Sequence, residues 1–223
     1  MKYYPVNLDI RNRKCLVVGG GSVGARKVAT LLTCGATVTV ISPGFTQQLL
    51  KLAEKGLIKL KKRSYQTLDL DNVFLVVGAT NNEELNMQIS HDAQRLNILC
   101  NIVDRPQACS FILPSIVNRG DLIIAISTSG KSPAFAKKLR IDLENEFGEE
   151  YDVFLRLMGA IRKKVLSPGG NPDAHKHQFK KLISKGLPKM IKNRETNKIN
   201  ALLFEVFGKG YEFKSLIKTG CFQ

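Results

Sequence analysis

The chain has 223 residues and 43% hydrophobic content, enough to bury one large core or two small ones. Its 34 Lys and Arg outnumber 19 Asp and Glu, and the net charge of +15 favours a polyanionic partner: nucleic acid, an anionic membrane, or a small molecule rich in carboxylates or phosphates. The N-terminal MKYYPVNLDIRNRK lacks an apolar signal core, no run is long enough to span a bilayer, and the five cysteines show no C-x-x-C, so the reading excludes a membrane span, a disulfide framework and structural zinc, and places the chain in a reducing compartment, the cytoplasm.

Val6, Leu8 and Ile10 alternate with polar residues and predict a short edge strand. Cys15 to Val18 predicts a buried strand, followed by Gly19-Gly20-Gly21 and a helix starting near Ser22, with Val28, Leu31 and Leu32 on its apolar face and Gly35 as its C-terminal cap. Ala36 to Ile41 is β-branched and brief, the pattern of a parallel strand, and it ends at Ser42-Pro43-Gly44. Phe45 to Lys55 predicts a helix closed by Gly56. Leu57 to Leu60 predicts a third strand, running into an exposed basic patch of Lys61, Lys62 and Arg63. Val73 to Val77 predicts a fully buried strand ending in Gly78-Ala79-Thr80-Asn81. Asn81 or Asn82 caps the next helix, whose inner face is Leu85, Ile89, Ala93 and Leu96. Ile98 to Asn101 is the next strand. Strands alternating with helices on short turns predict an α/β fold with a doubly wound parallel sheet.

Beyond residue 110 the pattern changes. Ser110 to Leu113 and Leu122 to Ile126 read as strands with no helix between them. A long helix follows, with Ser132 as cap, Pro133 at its first position, Phe135, Leu139 and Leu143 on one face, and Gly148 at its end. From Tyr151 the chain reads as helical, broken around Ser167 to Pro172. Residues 151 to 198 carry twelve cations against Asp152, Asp173 and Glu195. A hairpin and one helix bury themselves poorly alone, so residues 114–150 are expected to build a dimer interface. The expected organisation is a dinucleotide-binding domain at 1–113, a small α+β dimerisation region at 114–150, and a basic all-helical region at 151–223.

The glycines at 19, 21 and 24 spell G-x-G-x-x-G between a strand and a helix. Gly19 permits the sharp turn, Gly21 lets a pyrophosphate approach the backbone, and Gly24 lets the helix pack on the strand; the helix N-terminus then faces the anion. Ligands of such sheets bind beyond the carboxyl ends of the strands. That rule selects four loops: Gly19 to Gly24, Ser42 to Gly44, Gly78 to Asn81 (with Thr80), and Asn101 to Arg105. Asp104 is their only carboxylate. It either accepts a proton while hydride leaves a substrate, or caps a turn and pairs with Arg105; the residues alone leave both open. Where an acid usually holds the ribose hydroxyls the chain has Ser42, which leaves NAD against NADP open as well. Ser127 to Pro133 is a small-residue turn best explained by helix capping through Ser132. His91, His175 and His177 make no zinc-type cluster.

These motifs together, with Asn101-Ile102-Val103-Asp104, Ser110-Phe111-Ile112-Leu113-Pro114-Ser115 and Ile126-Ser127-Thr128-Ser129-Gly130-Lys131-Ser132-Pro133, resemble the dehydrogenase/ferrochelatase module of siroheme synthase, the precorrin-2 dehydrogenase family. The resemblance is specific over roughly residues 1–145 and looser beyond; with no methyltransferase module following, it reads as the stand-alone dehydrogenase. It implies a Rossmann domain, a homodimer and a helical C-terminal region. It implies NAD-dependent oxidation of precorrin-2 to sirohydrochlorin, with ferrous iron a transient substrate in members that also make siroheme. It implies NAD contacts at Ser22, Val23, Pro43 and Gly44, and Asp104 as the catalytic carboxylate. Thr128 stands where members often have serine and keeps a polar role. The tetrapyrrole's carboxylates account for the charge, with Asn101, Arg105, Arg119, Thr128 and Lys131 expected at the substrate. Two alternatives compete: an NAD(H)-sensing regulator that binds nucleic acid through its basic helices, and a dinucleotide-gated transporter domain. The first lacks a helix-turn-helix and interleaved aromatics; the second more often keeps the ribose acid.

Overall fold

The structure, a computed structural model, describes residues 1–165 and 175–219, in two units, Met1–Leu113 and Pro114–Gln223. The expected helix break at 167–172 and Cys221 lie outside the described residues.

The first unit is a five-stranded sheet. Its strands are β1 (Lys14–Val18), β2 (Thr37–Ile41), β3 (Ile58–Lys61), β4 (Leu75–Gly78) and β5 (Leu99–Ile102), all parallel, in the order β3-β2-β1-β4-β5. Helices α1 (Ser22–Thr33), α2 (Gln47–Glu54) and α3 (Glu83–Arg95) connect them. Successive residues of β1 serve opposite faces. Cys15 and Val17 join α1 and α2 in one core with Val28, Val38, Val40 and Leu49. Leu16 and Val18 join α3 in the other, with Ile89, Ala93, Val76 and Ile102. A strand covered on both faces has no place for polar side chains, which is why CLVV and LVVG read as unbroken apolar runs.

The three helices end alike. Gly35 and Gly56 take left-handed φ (74° and 71°), and Asn97 does the same (54°). In each case the next N–H reaches back five residues: Ala36 to the Leu31 carbonyl, Leu57 to Leu52, Ile98 to Ala93. That paired stop, the Schellman arrangement, returns the chain into the next strand. It closes each helix where Gly35 and Gly56 predict; Asn97 does at the third helix what glycine does at the other two.

Three expectations for this unit fail. Residues 6–10 form no strand: only Ile10 is buried, and Val6 and Leu8 are exposed, because the sheet ends at β3 and β5. Leu96 is 44% exposed, since it sits at the C-cap where α3 has already turned away from the sheet. Ser110 to Leu113 is no strand either. It covers the outer edge of β5 largely with side chains: the Ser110 hydroxyl accepts from the Cys100 N–H (2.8 Å), the Cys109 thiol accepts from the Ile102 N–H (3.1 Å), and one backbone bond links Ser110 to Cys100. The basic patch after β3 is exposed at Lys61 and Lys62 as expected, with Arg63 half-buried; Lys61 and Arg63 both hold Asp69 (3.0 and 2.7 Å), whose side chain is 3% exposed.

In the second unit, β6 (Ser115–Arg119) and β7 (Leu122–Ile126) make an antiparallel hairpin. Its two-residue loop carries positive φ at Gly120 (64°), the position a type II′ turn reserves for glycine. The partner of β7 is therefore Ser115–Arg119, five residues later than the pattern suggests. Helix α4 (Pro133–Glu146) packs on the hairpin through Ala136, with Leu139 and Leu143 partly covered; Phe135 stays 55% exposed instead of joining them. Helices α5 (Glu150–Val165), α6 (Lys176–Ser184), α7 (Leu187–Lys192), α8 (Thr196–Phe207) and α9 (Phe213–Thr219) follow. They enclose a third core around Leu157, Ile161, Leu182, Leu187, Ile199 and Leu203. Among the described residues no helix is long and apolar enough to cross a membrane.

Asp69 supplies a stability test. Burial pushes its carboxyl up, but bonds from Arg63, the Gln66 N–H and Lys61 outweigh it and hold the group at about 2, below the ordinary 3.8. A lowered carboxyl stabilises the fold above its unfolded value and loses that contribution as pH falls from 3.8 through 2. The shift corresponds to roughly 2 kcal/mol. Asp69→Asn should lower the melting temperature at pH 7 and flatten its fall between about pH 4 and pH 2, as calorimetric melts across that range will show.

Candidate functional site

The first turn of the sheet is built by missing side chains. A Cβ on Gly19 would lie 2.2 Å from the Ala79 carbonyl oxygen at the end of β4, and Gly19 also needs its φ of 119°. A Cβ on Gly20 would lie 2.1 Å from the Gly44 carbonyl oxygen and 3.0 Å from the Ser42 Cβ, beyond β2. A Cβ on Gly24 would meet the Gly19 carbonyl oxygen at 2.1 Å. Gly19 and Gly20 thus press three loops together, and Gly24 seats α1 on the first of them. Bonds register them: the Gly19 N–H donates to Ile41 (2.9 Å), Ala79 to Val18 (2.8 Å), and Thr46 to Gly20 (3.0 Å).

Gly21 differs. A Cβ there would meet nothing within 4 Å, so its side-chain direction opens on free space. It is also the N-cap of α1, gives that helix no side-chain cap, and is followed by no acid in the first turn. Uncapped N–H groups at a helix start, beneath space that a side chain would fill, suit a pyrophosphate. Thr46 Oγ1, on the residue bonded to Gly20, is buried and has no hydrogen-bond partner among the described residues. Ser42 is half-buried and Pro43 and Gly44 are exposed beside this turn, while Ser22 and Val23 begin the helix. The residues present fit a dinucleotide.

Next to this turn lies a cleft lined by Thr80, Asn81, Glu83, Asn86, Met87, Val103, Asp104 and Arg105. The Asn86 amide is buried; it donates to the Thr80 carbonyl oxygen (2.9 Å), and the Thr80 hydroxyl donates back to its Oδ1 (2.9 Å). That exchange fixes the loop after β4. Asn82 caps α3 by accepting from the Leu85 N–H (2.9 Å). Asp104 sits in the turn after β5, where the Arg105 N–H donates to the Ile102 carbonyl (3.3 Å). It takes φ 60° at the third turn position, a left-handed conformation that Gly, Asn and Asp adopt most readily and that costs L-residues in general about 1–2 kcal/mol. Arg105 pairs with Glu83 (2.6 Å), not with Asp104, so the reading of Asp104 as the partner of Arg105 falls. Glu83 also makes Asp104 one of two carboxylates at the cleft.

Lys27, on α1, is the cation whose field reaches Asp104. Burial lowers its ammonium and Arg26 lowers it further, while Asp104 and Cys109 push it back up. The sequence reading missed Lys27, although it lies three residues after Gly24 on the same helical face. It also missed Gly20, Asn86 and Met87. Asn86 and Met87 fall one turn after Asn82 and Glu83, a spacing that could have flagged them.

The expected substrate residues divide. Arg105 lines the cleft. Asn101 does not: it is 7% exposed and its amide donates to the Phe111 carbonyl (3.1 Å), which holds the segment along β5. Arg119 is spent on α4, donating to the carbonyls of Phe147 (2.8 Å) and Glu144 (3.0 Å), the orphan acceptors of a helix end. Thr128 accepts from the Ser132 N–H (3.1 Å) and so extends the N-terminal cap of α4. Lys131 is exposed in the same turn of the second unit. Among the described residues no three His, Cys, Asp or Glu side chains gather closely enough to hold a metal.

A five-stranded 3-2-1-4-5 sheet with this glycine turn defines a Rossmann-type dinucleotide-binding domain. A family model described as "Putative NAD(P)-binding" matches residues 6–115, and one described as sirohaem biosynthesis protein central matches residues 119–146. The siroheme synthase of Nitrosococcus oceani is 44% identical over 165 residues, 74% of this chain and 35% of its own length. That of Salmonella dublin is 32% identical over 210 residues, 94% of this chain and 46% of its own. The chain thus spans about a third to a half of these curated relatives. A solved structure titled "SirC, precorrin-2 dehydrogenase" superposes with a TM-score of 0.73 at 27% identity, over 92% of this chain and 98% of that one. The chain belongs to the siroheme synthase family.

The two inner glycines give opposite expectations. Gly20→Ala should destabilise the unit by about 1–3 kcal/mol, because its Cβ meets backbone. Gly21→Ala should melt like the parent yet bind NAD about tenfold more weakly, because its methyl fills the open space. Thermal melts paired with calorimetric NAD titration separate the two.

Proposed function

We propose that this chain oxidises precorrin-2 to sirohydrochlorin with NAD, in the cytoplasm, and inserts ferrous iron into the product to give siroheme. The observation that carries the reading is the placement of Asp104: a carboxylate held in a strained turn at the cleft beyond β4 and β5, beside the turn that suits the pyrophosphate. The likeness to the precorrin-2 dehydrogenase structure over nearly its whole length supports the same reading.

NAD, when bound, would supply a two-electron hydride acceptor. The backbone N–H groups at the start of α1 would hold its pyrophosphate, and Ser42 would offer the ribose a hydroxyl in place of the missing acid. Asp104 takes the proton that leaves the tetrapyrrole as the hydride departs, so precorrin-2 loses two hydrogens and two electrons. Thr80 and Asn81 wall the cleft, with Thr80 fixed by Asn86. Arg105, paired with Glu83 at the cleft, draws a substrate carboxylate by exchanging that partner for it. For chelation Asp104 is again the acceptor, taking the two pyrrole protons displaced by iron one at a time and releasing each to water; iron enters as substrate.

In this reading residues 114–150 dimerise, and the exposed apolar residues Ile116, Ile123 and Phe135 support that assignment. Residues 151–223 add basic helices that attract the polycarboxylate. Not all their cations are free for it: Arg156 pairs with Asp152, Lys181 with Glu205, Lys192 with Glu150 and Lys198 with Glu195.

Asp104→Asn should lose about 10²–10⁴ in kcat for anaerobic precorrin-2 oxidation, the range a positioned proton acceptor contributes. Its NAD affinity should stay within about twofold. An Asp104→Asn enzyme with parental turnover contradicts the reading.

A further inference from the structure

The turn that carries Asp104 has a tie across it. Residues 102–105 form a tight turn closed by the Arg105 N–H to the Ile102 carbonyl (3.3 Å), and Asp104 occupies the strained position. The thiol of Cys109 lies against both ends of that turn. Its sulfur accepts from the Ile102 N–H at 3.1 Å and lies 3.3 Å from the Ile102 carbonyl oxygen and 3.2 Å from the Arg105 carbonyl oxygen. The Asn101 amide nitrogen lies 3.7 Å away, and Cys109 is only partly exposed. A thiol has one proton, so it donates to one carbonyl at a time while its sulfur keeps the Ile102 N–H satisfied. Without it, the outward N–H of the last β5 residue loses the bond the structure gives it.

We propose that Cys109 is a positioning residue for Asp104, holding the two ends of the 102–105 turn so that the carboxylate stays aimed into the cleft. The proposal rests on the reading of Asp104 as the proton acceptor. Three features fit it. A left-handed aspartate returns to commoner backbone unless its surroundings fix it, and the ties at Ile102 and Arg105 lie on either side of it. Burial raises the thiol above its ordinary range, against the lowering influence of the Ile102 N–H and of Lys27, so at neutral pH the group carries its proton and acts as donor and acceptor, not as nucleophile. Valine of similar size would fill the space but make none of these bonds; serine would restore them with shorter reach.

The test compares Cys109→Val, Cys109→Ser and Cys109→Ala in anaerobic precorrin-2 oxidation, alone and with Asp104→Asn. The proposal expects Cys109→Val to lose about tenfold in kcat, the cost of a misplaced catalytic group, with KM for NAD within about twofold. Cys109→Ser should recover at least half of the parental kcat. In the Asp104→Asn background Cys109→Val should change the residual rate by less than twofold, because there is no carboxylate left to aim. If Cys109→Val does not fold, Cys109→Ala replaces it, with the same expectations. Parental kcat in the valine or alanine variant overturns the proposal. So does an equal loss in the serine variant, or an undiminished effect without the Asp104 carboxylate. Failure of the underlying reading shows separately, as parental kcat in Asp104→Asn alone.

Discussion

The fold and the site both depend on how closely three loops approach at the carboxyl end of the sheet. Backbone meets backbone there: the turn after β1 lies against the Gly44 carbonyl on one side and the Ala79 carbonyl on the other, at distances that leave no room for a Cβ. Everything chemical in the first unit follows from that contact. It brings Ser42 beside the glycine turn, sets the end of β4 against it, and leaves the start of α1 uncapped and open. A larger residue at 19 or 20 would separate the loops before it touched any ligand, and one at 24 would push α1 off its own turn.

The second constraint is the edge of the sheet. β5 has a neighbour on one side only, and an unpaired strand edge exposes N–H and carbonyl groups. The chain covers it with a hydroxyl and a thiol instead of a sixth strand. This choice shortens the segment and carries it past the Asp104 turn, so a device that protects the edge also braces the site. The strained backbone at Asp104 is thereby held in a region otherwise fixed by regular strand bonds.

Much of the first unit was legible in the sequence because its signals are local. Apolar strands of four or five residues, Gly35 and Gly56 after helices, and Asn82 with acids in the next turn each specify a feature from neighbouring residues. The glycine turn was legible too, but only in part. The motif credits Gly19, Gly21 and Gly24, and Gly20 reads as filler; its need for no side chain comes from Gly44, twenty-four residues on. Asn101, Arg119 and Thr128 show what spacing does not reveal: each makes a hydrogen bond to a backbone group that no local pattern points to, the Phe111 carbonyl, the end of α4 and the Ser132 N–H. The Ser110 to Leu113 run misled because an apolar stretch beside a strand resembles another strand until its hydrogen bonds are traced.

The central claim is that a dinucleotide lies over the start of α1, with its redox ring carried toward Asp104. A crystal structure of the protein with NAD bound tests it most directly. The account predicts the pyrophosphate within hydrogen-bonding distance of the backbone N–H groups at Gly21 to Val23, and the nicotinamide ring in the cleft between Thr80 and Asp104. A pyrophosphate held elsewhere, or a ring pointing away from that cleft, would contradict it.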